Sequence, residues 1–347
     1  MLFPGKQVVG LDIGSSSIKA FLIAETKKGF QLLKFAVKDV VPDSIVDGAI
    51  MDSASVVQAI KEILKEMKIK NFLVSTAIAG HSVIVKRVNV SKRTEAELRE
   101  AISLEAEQYI PFDIDDVNMD FHIIGDSKAS EGQMEIILVA AKKEQINEYS
   151  NLIRETGLMP VIVDLAVFAL QNCYEVNYEE DGKTIALINI GASLININIL
   201  KNSISSFVRD IPIGGKQYTE AMQKELQLSF SEAEKLKKSC SVKEEISPEI
   251  EGILNSVNEE ICQEIKRSFD FFKTQTAEGD VDKIYLCGGS SKVFGLDKVL
   301  SSRTGIEVGM LDPFRRVKID EKSNNFRLLK EIAPMSIIGV GLAVRKF

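Results

Sequence analysis

The sequence predicts an α/β fold built from two similar halves. Three observations carry that prediction. The stretch "VVGLDIGSSSIKAFLI" (residues 8–23) reads as an apolar strand, a polar turn and a second apolar strand. It recurs as "LINIGASLININIL" (residues 187–200), close to half the chain length further on. Asp12 then aligns with Asn189, Gly14 with Gly191 and Ser16 with Ser193. Such self-similarity points to duplicated units. Both copies lead through a short polar turn ("ETKKG", "KNS") into a third strand ("FQLLKFAV", "SISSFVRDI"). Strands then alternate with helical patterns in both halves, the signature of an α/β architecture.

The first turn carries more chemistry than a hairpin needs. A tight hairpin asks for little beyond glycine and asparagine or aspartate. Here Asp12, Gly14, Ser15, Ser16, Ser17 and Lys19 stand together. After the first meander, "MDSASVVQAIKEILKEMKI" places apolar residues at helical spacing. Thr94 and Glu97 have capping-box spacing, and the helix they open must end before Pro111. "DVNMDFHIIG" and "MEIILVAA" read as strands. Past the second meander, Ser229 and Glu232 repeat the capping-box spacing. Ser247 followed by Pro248 fits an N-cap and first helical position of a long helix reaching about Thr274. "KIYLCGGSSKVFGLDKVLSSRTG" predicts a strand ending at Gly288 and Gly289, then a helix from near Val293 that stops before Gly305. At such a glycine turn backbone amides can approach a ligand closely.

Bulk properties narrow the function. The chain has 347 residues, 45% hydrophobic and 27% charged, ordinary for a soluble globular protein of two domains or one bilobed unit. A net charge of −7 offers no basic footprint for nucleic acid and argues against direct binding to an anionic membrane. "MLFPGKQ" has no apolar run of signal-peptide length, and "MSIIGVGLAV" is about half the length that crosses a bilayer. Cys173, Cys240, Cys262 and Cys287 are far apart and predict buried, unpaired thiols in a reduced, cytosolic compartment. His81 and His122 have no neighbouring ligand at zinc spacing.

Two glycine–serine turns facing each other across a cleft could grip a polyphosphate. Backbone N–H groups and hydroxyls donate to phosphate oxygens. Lys19 adds a positive charge, although it also reads simply as a solvated strand residue. Asp12 repels phosphate, so its role is to hold a divalent cation, through water; Mg²⁺ keeps several waters and uses one or two carboxylates. Taken singly, the DIGSSS turn and the Gly288–Gly289 pair also read as structural turns.

Their order along the chain resembles the actin-like ATPase superfamily, which includes actin, DnaK-type chaperones, sugar kinases and FtsA. The phosphate turns of that superfamily match Asp12–Ser17 and Asn189–Ser193, with Gly14, Ser15, Ser16, Ser17, Lys19, Gly191, Ala192 and Ser193 as binding positions. Its adenosine turn matches Leu286–Ser290, with Gly288, Gly289 and Ser290. The resemblance also implies Gly214 and Gly215 beside the nucleotide, and Glu234 and Lys237 near ribose and adenine. Asp164 stands where relatives orient the attacking water, and reads equally as the N-cap of "LAVFALQN". Asn189 replaces the acid usual in the second turn and brings no negative charge to the metal. The implied cofactors are ATP and Mg²⁺, with weak hydrolysis or none.

"AISLEAEQYIPFDIDDVNMDFHII" and "EIILVAAKKEQINEYSNLIRETGLMPVIVDLAVFAL" resemble, more narrowly, the PilM family of type IV pilus assembly, along nearly the whole chain. The resemblance implies an actin-like ATPase fold of two duplicated lobes with a small FtsA-type αβ insertion. The expected division is 1–86 (first part of the first lobe), 87–158 (partner-binding insertion) and 159–347 (remainder of the first lobe and the second lobe). It implies an ATP-binding cytoplasmic component of the inner-membrane platform of a type IV pilus or related type II secretion system. That component recruits the N-terminal cytoplasmic peptide of PilN and sits at the inner membrane without entering it. Tyr109 and Phe112 of "EQYIPF" are expected near the rim of the peptide groove, or packed in the insertion's core. The oligomeric state stays open. An FtsA-like division or cytoskeletal ATPase is the alternative, but FtsA-like proteins carry a basic amphipathic C-terminal helix, whereas "GVGLAVRKF" ends with only Arg345 and Lys346. A sugar kinase would need a base beside a sugar pocket and a second inserted lobe, and neither stands out.

Overall fold

The computed structural model describes residues 8–70, 72–127, 130–179, 182–241, 245–276 and 279–345. The N-terminal "MLFPGKQ" and Lys346 lie outside them. The first lobe opens with an antiparallel meander of β1 (Val8–Ile13), β2 (Ser17–Thr26) and β3 (Gly29–Asp39). A two-residue hairpin, β4 (Ile45–Val46) and β5 (Ala49–Ile50), leads to α1 (Ser53–Met67), whose N-cap Asp52 accepts from Ser55 N. β6 (Leu73–Ile78) then joins β1 in parallel.

An insertion follows: β7 (Val83–Ser91), α2 (Glu95–Ala106), β8 (Val117–Asp126) and β9 (Gln133–Lys142). Its three strands form a separate sheet in the order β7-β9-β8, packed on α2 through a core that includes Leu98, Ile136 and Leu138. The Thr94–Glu97 capping box is present. The expected bounds, 87–158, differ from this unit at both ends. β7 begins at Val83, and α3 (Lys143–Glu155) buries Tyr149, Leu152 and Ile153 in the first-lobe core, not in the insertion. The periodicity of α3 showed an apolar face but not which sheet covers it. β10 (Met159–Leu165) completes the first sheet, in the order β10-β6-β1-β2-β3, and α4 (Ala166–Asn177) follows.

The second lobe repeats the plan. β11 (Thr184–Ile190), β12 (Ile195–Lys201) and β13 (Ile204–Ile211) form a meander, and β14 (Lys283–Cys287) and β15 (Glu307–Met310) add in parallel. Its helices are α5 (Gly215–Leu226), α6 (Phe230–Cys240), α7 (Pro248–Gln275) and α8 (Leu296–Thr304). The Ser229–Glu232 box and the Ser247 cap before Pro248 are present. A 3-10 turn over Gly289–Lys292 precedes α8, which starts after Gly295 (φ 77°), not at Val293. α9 (Phe326–Ile332) and α10 (Ile337–Ala343) close the chain.

The "MSIIGVGLAV" run is α10, packed between β1 and α4. A Cβ on Gly10 would sit 2.2 Å from Gly339 O, and one on Gly341 would sit 1.8 Å from Ala169 O. Glycine is what lets these backbones touch. Among the described residues no helix is long and apolar enough to cross a membrane. All four cysteines are free and buried, as expected.

Candidate functional site

The two repeated turns face each other. Ser15 Oγ and Ser193 Oγ are 2.6 Å apart and share a hydrogen bond across the cleft. The first turn is closed by Gly14 N donating to Ser17 O, and is tied to the end of β3 by Val40 N donating to Ser16 O. Ser16 is exposed at its tip. Lys19 does not reach into open solvent, contrary to the reading as a solvated residue. It is 7% exposed and donates to Asp12 Oδ2 at 2.9 Å and to Ser17 O at 3.2 Å. Asp12 and Lys19 are direct register partners on β1 and β2.

The second turn, Gly191–Leu194, is closed by Gly191 N donating to Leu194 O at 2.9 Å. Gly215 N donates to Gly191 O and Lys216 N to Ala192 O, so the start of α5 is stitched onto this turn. Ser290 Oγ donates to the same Gly191 O at 3.0 Å. A Cβ on Gly214 would lie 2.7 Å from Gly191 O, and one on Gly288 (φ 90°) would lie 2.3 Å from Ile190 O. The structure therefore brings together Gly191, Ala192, Gly214, Gly215, Gly288 and Ser290. Gly289 is exposed, with open space where a Cβ would be.

Glu234 and Lys237 sit on α6 behind this cradle. Lys237 Nζ donates to Gly215 O (3.0 Å) and Thr219 Oγ1 (2.9 Å) and pairs with Glu234 Oε2 (2.6 Å). Those three acceptors match the three N–H donors of an ammonium. Burial pulls the Lys237 ammonium below its ordinary pKa, and Glu234 pulls it back up. In this arrangement the pair buttresses the Gly214–Gly215 turn.

Asp164 is 8% exposed near the end of β10. Its Oδ1 accepts from Leu165 N at 2.8 Å, and its Oδ2 lies 3.2 Å from Arg345 Nε. α4 takes Leu165, not Asp164, as its N-cap residue. Burial pushes the Asp164 carboxyl above the usual range, opposed by Arg345. Among the described residues no group of three or more His, Cys, Asp or Glu comes together as a metal cluster.

Sequence reasoning missed the partners of Asn189. Asn189 Nδ2 donates to Asn196 Oδ1 at 2.8 Å, and Asn196 Nδ2 donates to Asp210 Oδ1 at 2.7 Å. Asp210 Oδ2 in turn accepts from Gly80 N at 2.6 Å, between the lobes. The signal was available: Asn196 lies at the offset from Asn189 that Lys19 has from Asp12.

A groove of about 510 Å³ lies where the insertion meets both lobes. Its lining includes Gly80 and Val83–Lys86 from the insertion side, Leu165–Val167 from α4 and its approach, Leu194 from the second turn, and Val208–Asp210 from β13. Tyr109 and Phe112 are not part of it. Both pack on the insertion's own core, where Lys142 Nζ lies over the Phe112 ring. Their apolar bodies satisfied either placement in the sequence, and the α2–sheet contact claimed them.

A family model described as type IV pilus assembly protein PilM matches residues 10–347. A solved PilM–PilN type IV pilus biogenesis complex is similar over 98% of this chain and 98% of the matched chain, with 29% identity and a TM-score of 0.87. The ethanolamine utilization protein EutJ from Carboxydothermus hydrogenoformans is 16% identical over 99% of this chain and 91% of its own, with a TM-score of 0.61. MreB 5 of Spiroplasma citri, bound to AMPPNP, is 16% identical over 97% and 95%, with a TM-score of 0.54. The last two share the fold alone. The architecture is that of the actin-like ATPases, as the sequence predicted.

Proposed function

The chain belongs to the PilM family of type IV pilus assembly proteins, and on that premise we propose that it binds Mg²⁺-ATP between its lobes and recruits the N-terminal cytoplasmic segment of PilN. The observation that carries the nucleotide reading is the Ser15–Ser193 contact of 2.6 Å, which sets two duplicated glycine–serine turns against each other. Ser15, Ser16 and Ser17 on one side, and Ala192 and Ser193 on the other, offer amides or hydroxyls to phosphate oxygens, while Gly14 and Gly191, whose amides close the turns on Ser17 O and Leu194 O, shape the two loops. The hydroxyls of Ser15 and Ser193, already brought together, fit a polyphosphate, and Gly214 and Gly288 let the backbone behind the second turn close up, because a Cβ on either would strike it. Gly289 and Ser290 would border the adenosine, while Glu234 and Lys237 hold Gly215.

Asp12 is the carboxylate available to a cation, and Mg²⁺ is suited to one carboxylate, waters and phosphate oxygens. When bound, that ion neutralises phosphate charge. Lys19 uses two of its three N–H donors on Asp12 and Ser17, which leaves one for a phosphate oxygen. Asp164 is the candidate for orienting water, with its charge tempered by Arg345.

For the partner, the groove beside β7 supports the reading. β7 is an edge strand of its sheet and β13 an edge strand of the second-lobe sheet, and both line the groove. An extended peptide can add to such an edge through backbone hydrogen bonds, with alternate side chains filling apolar pockets. Val83, Val85, Val167 and Val208 supply the apolar wall. The chain would then reach the inner membrane through PilN.

The test is titration of the whole chain with a synthetic PilN N-terminal peptide. Val208→Glu, which puts a charge into the groove, is expected to weaken the peptide at least about 10-fold while Mg²⁺-ATP still binds. Unchanged peptide affinity in a folded Val208→Glu protein would move the partner site elsewhere.

A further inference from the structure

A single row of polar side chains crosses one face of the second sheet. Cys287 on β14, Asn189 on β11, Asn196 on β12 and Asp210 on β13 are consecutive register partners. Cys287 Sγ lies 3.8 Å from Asn189 Oδ1, and the hydrogen bonds then run from Asn189 to Asn196 to Asp210. The row does not stop at the sheet edge. Asp210 Oδ2 accepts from the backbone amide of Gly80 in the first lobe. Gly80 (φ 91°) opens the turn from β6 into β7, and Gly80 O accepts from Val83 N. One end of the row thus lies at the Gly288 turn and the second candidate phosphate turn, which follow Cys287 and Asn189 in the chain. The other is the root of the insertion and a wall of the groove.

The chemistry at Asp210 is specific. Two N–H donors, Asn196 Nδ2 and Gly80 N, converge on one side chain. An ionised carboxylate accepts from both at once, whereas a carboxamide has a single acceptor oxygen. The first lobe lacks this extension. There the residue opposite Lys19 on β3 is Val37, so the corresponding row ends in an apolar side chain. A second contact links the same two regions: a Cβ on Gly80 would lie 3.7 Å from Leu194 Cδ1, and Leu194 O closes the Gly191 turn.

We infer that Asn196 and Asp210 are positioning residues that hold the β6–β7 turn in register with the second phosphate turn, so that nucleotide occupancy sets the width of the peptide groove. This rests on the nucleotide and peptide readings above. Coupling through a contiguous network requires an element that both sites bias, and the Gly80 turn is that element. Asn196 touches neither ligand in this account; Asp210 borders the groove, but its two carboxylate oxygens are taken by Asn196 and Gly80, through which it acts.

The experiment is amide hydrogen exchange over the Gly80–Val85 segment of the full chain, with and without saturating Mg²⁺-ATP, alongside calorimetry with Mg²⁺-ATP and with the PilN peptide. Wild type is compared with Asp210→Asn and Asn196→Leu. Asp210→Asn preserves size and polarity and keeps the proposal testable if Asn196→Leu fails to fold. In wild type, Mg²⁺-ATP is expected to change exchange at Gly80 and to shift peptide affinity by about 5-fold or more. In both variants Gly80 exchanges at least about 10-fold faster, Mg²⁺-ATP still binds, and the peptide affinity no longer depends on Mg²⁺-ATP; Asn196→Leu, outside the groove lining, keeps the peptide bound, whereas Asp210→Asn, in the lining, is read only for the loss of that dependence. A wild-type-like shift in the variants overturns the inference. So does wild type that binds Mg²⁺-ATP by calorimetry yet shows no change at Gly80, an outcome that leaves the nucleotide reading standing. Calorimetry without Mg²⁺-ATP binding overturns the nucleotide reading and this inference with it.

Discussion

Asn189 and Asn196 occupy, in the second lobe, the places that Asp12 and Lys19 occupy in the first. Each pair sits directly opposite on the first two strands of its meander. The first is an ion pair at 2.9 Å, the second an amide–amide hydrogen bond at 2.8 Å. The missing acid at position 189 is therefore half of a joint replacement. Asp and Lys give way to Asn and Asn, and the net charge of the pair is kept.

That relationship changes what Asn189→Asp should do. A carboxylate there cannot donate to Asn196 Oδ1, and turning the Asn196 amide would break its bond to Asp210. Asn196 is almost fully buried, so the lost bond and the facing acceptors should cost about 1–3 kcal/mol in denaturant unfolding. Asn189→Asp with Asn196→Lys rebuilds the first-lobe pair and should recover at least half of that loss. Single-turnover hydrolysis should stay below about 1 per second in wild type and rise in the double variant, where the added charge sits in a satisfied pair. Equal stability of the single variant and wild type would show that the row does not hold Asn189.

Glycine substitutions separate the fold from the ligand. Gly214→Ala pushes a methyl group to 2.7 Å from Gly191 O and 2.8 Å from Ala192 O, both backbone. It should lower stability by about 1–3 kcal/mol and weaken nucleotide binding as well. Gly289→Ala meets nothing within 4 Å. It should leave the melting temperature unchanged and reduce ATP affinity about 10-fold or more, because only a bound adenosine would fill that space. A Gly289→Ala protein with full ATP affinity would move the adenosine away from this turn.

The Asp164–Arg345 pair predicts a pH dependence. Burial raises the Asp164 pKa in the folded state, and Arg345 opposes the rise. A carboxyl with a raised folded pKa binds more protons folded than unfolded across that window, so its contribution to stability declines as pH rises through it. Arg345→Met keeps the apolar stem and removes the countercharge, which raises the Asp164 pKa further and widens the window toward neutrality. The variant should match wild type near pH 4 and fall below it by about 1 kcal/mol near pH 7, a modest figure because the Arg345 side chain is 48% exposed. A deficit that is the same at both pH values would detach Arg345 from Asp164.

Much of the fold was legible because local signals agreed with one another. The repeated turn predicted both meanders, and the Thr94, Ser229 and Ser247 caps marked helix starts that the structure keeps. The insertion's bounds were not legible, because an amphipathic helix such as α3 shows that it has an apolar face but not which sheet covers it. The partners of Lys19, Lys237 and Asp210 were equally hidden. Lys19 meets Asp12 only through the register of β1 on β2, and the contacts of Lys237 with Gly215 and of Asp210 with Gly80 join separate elements, which no spacing along the chain encodes. The Asn189–Asn196 pair stood in the duplicated sequence, but only strand register shows that the two residues touch.

The central claim is that the turns at Gly14–Ser17 and Gly191–Ser193 together hold the phosphates of ATP. Isothermal calorimetry of nucleotide-stripped protein with Mg²⁺-ATP tests it most directly, on wild type and Ser16→Tyr. Ser16 is exposed at the tip of its turn, so tyrosine there should fill the phosphate space and leave the melting temperature unchanged. The account predicts one ATP per wild-type chain and loss of binding by about 100-fold or more in Ser16→Tyr. No binding by folded wild type, or equal binding by both proteins, would contradict it.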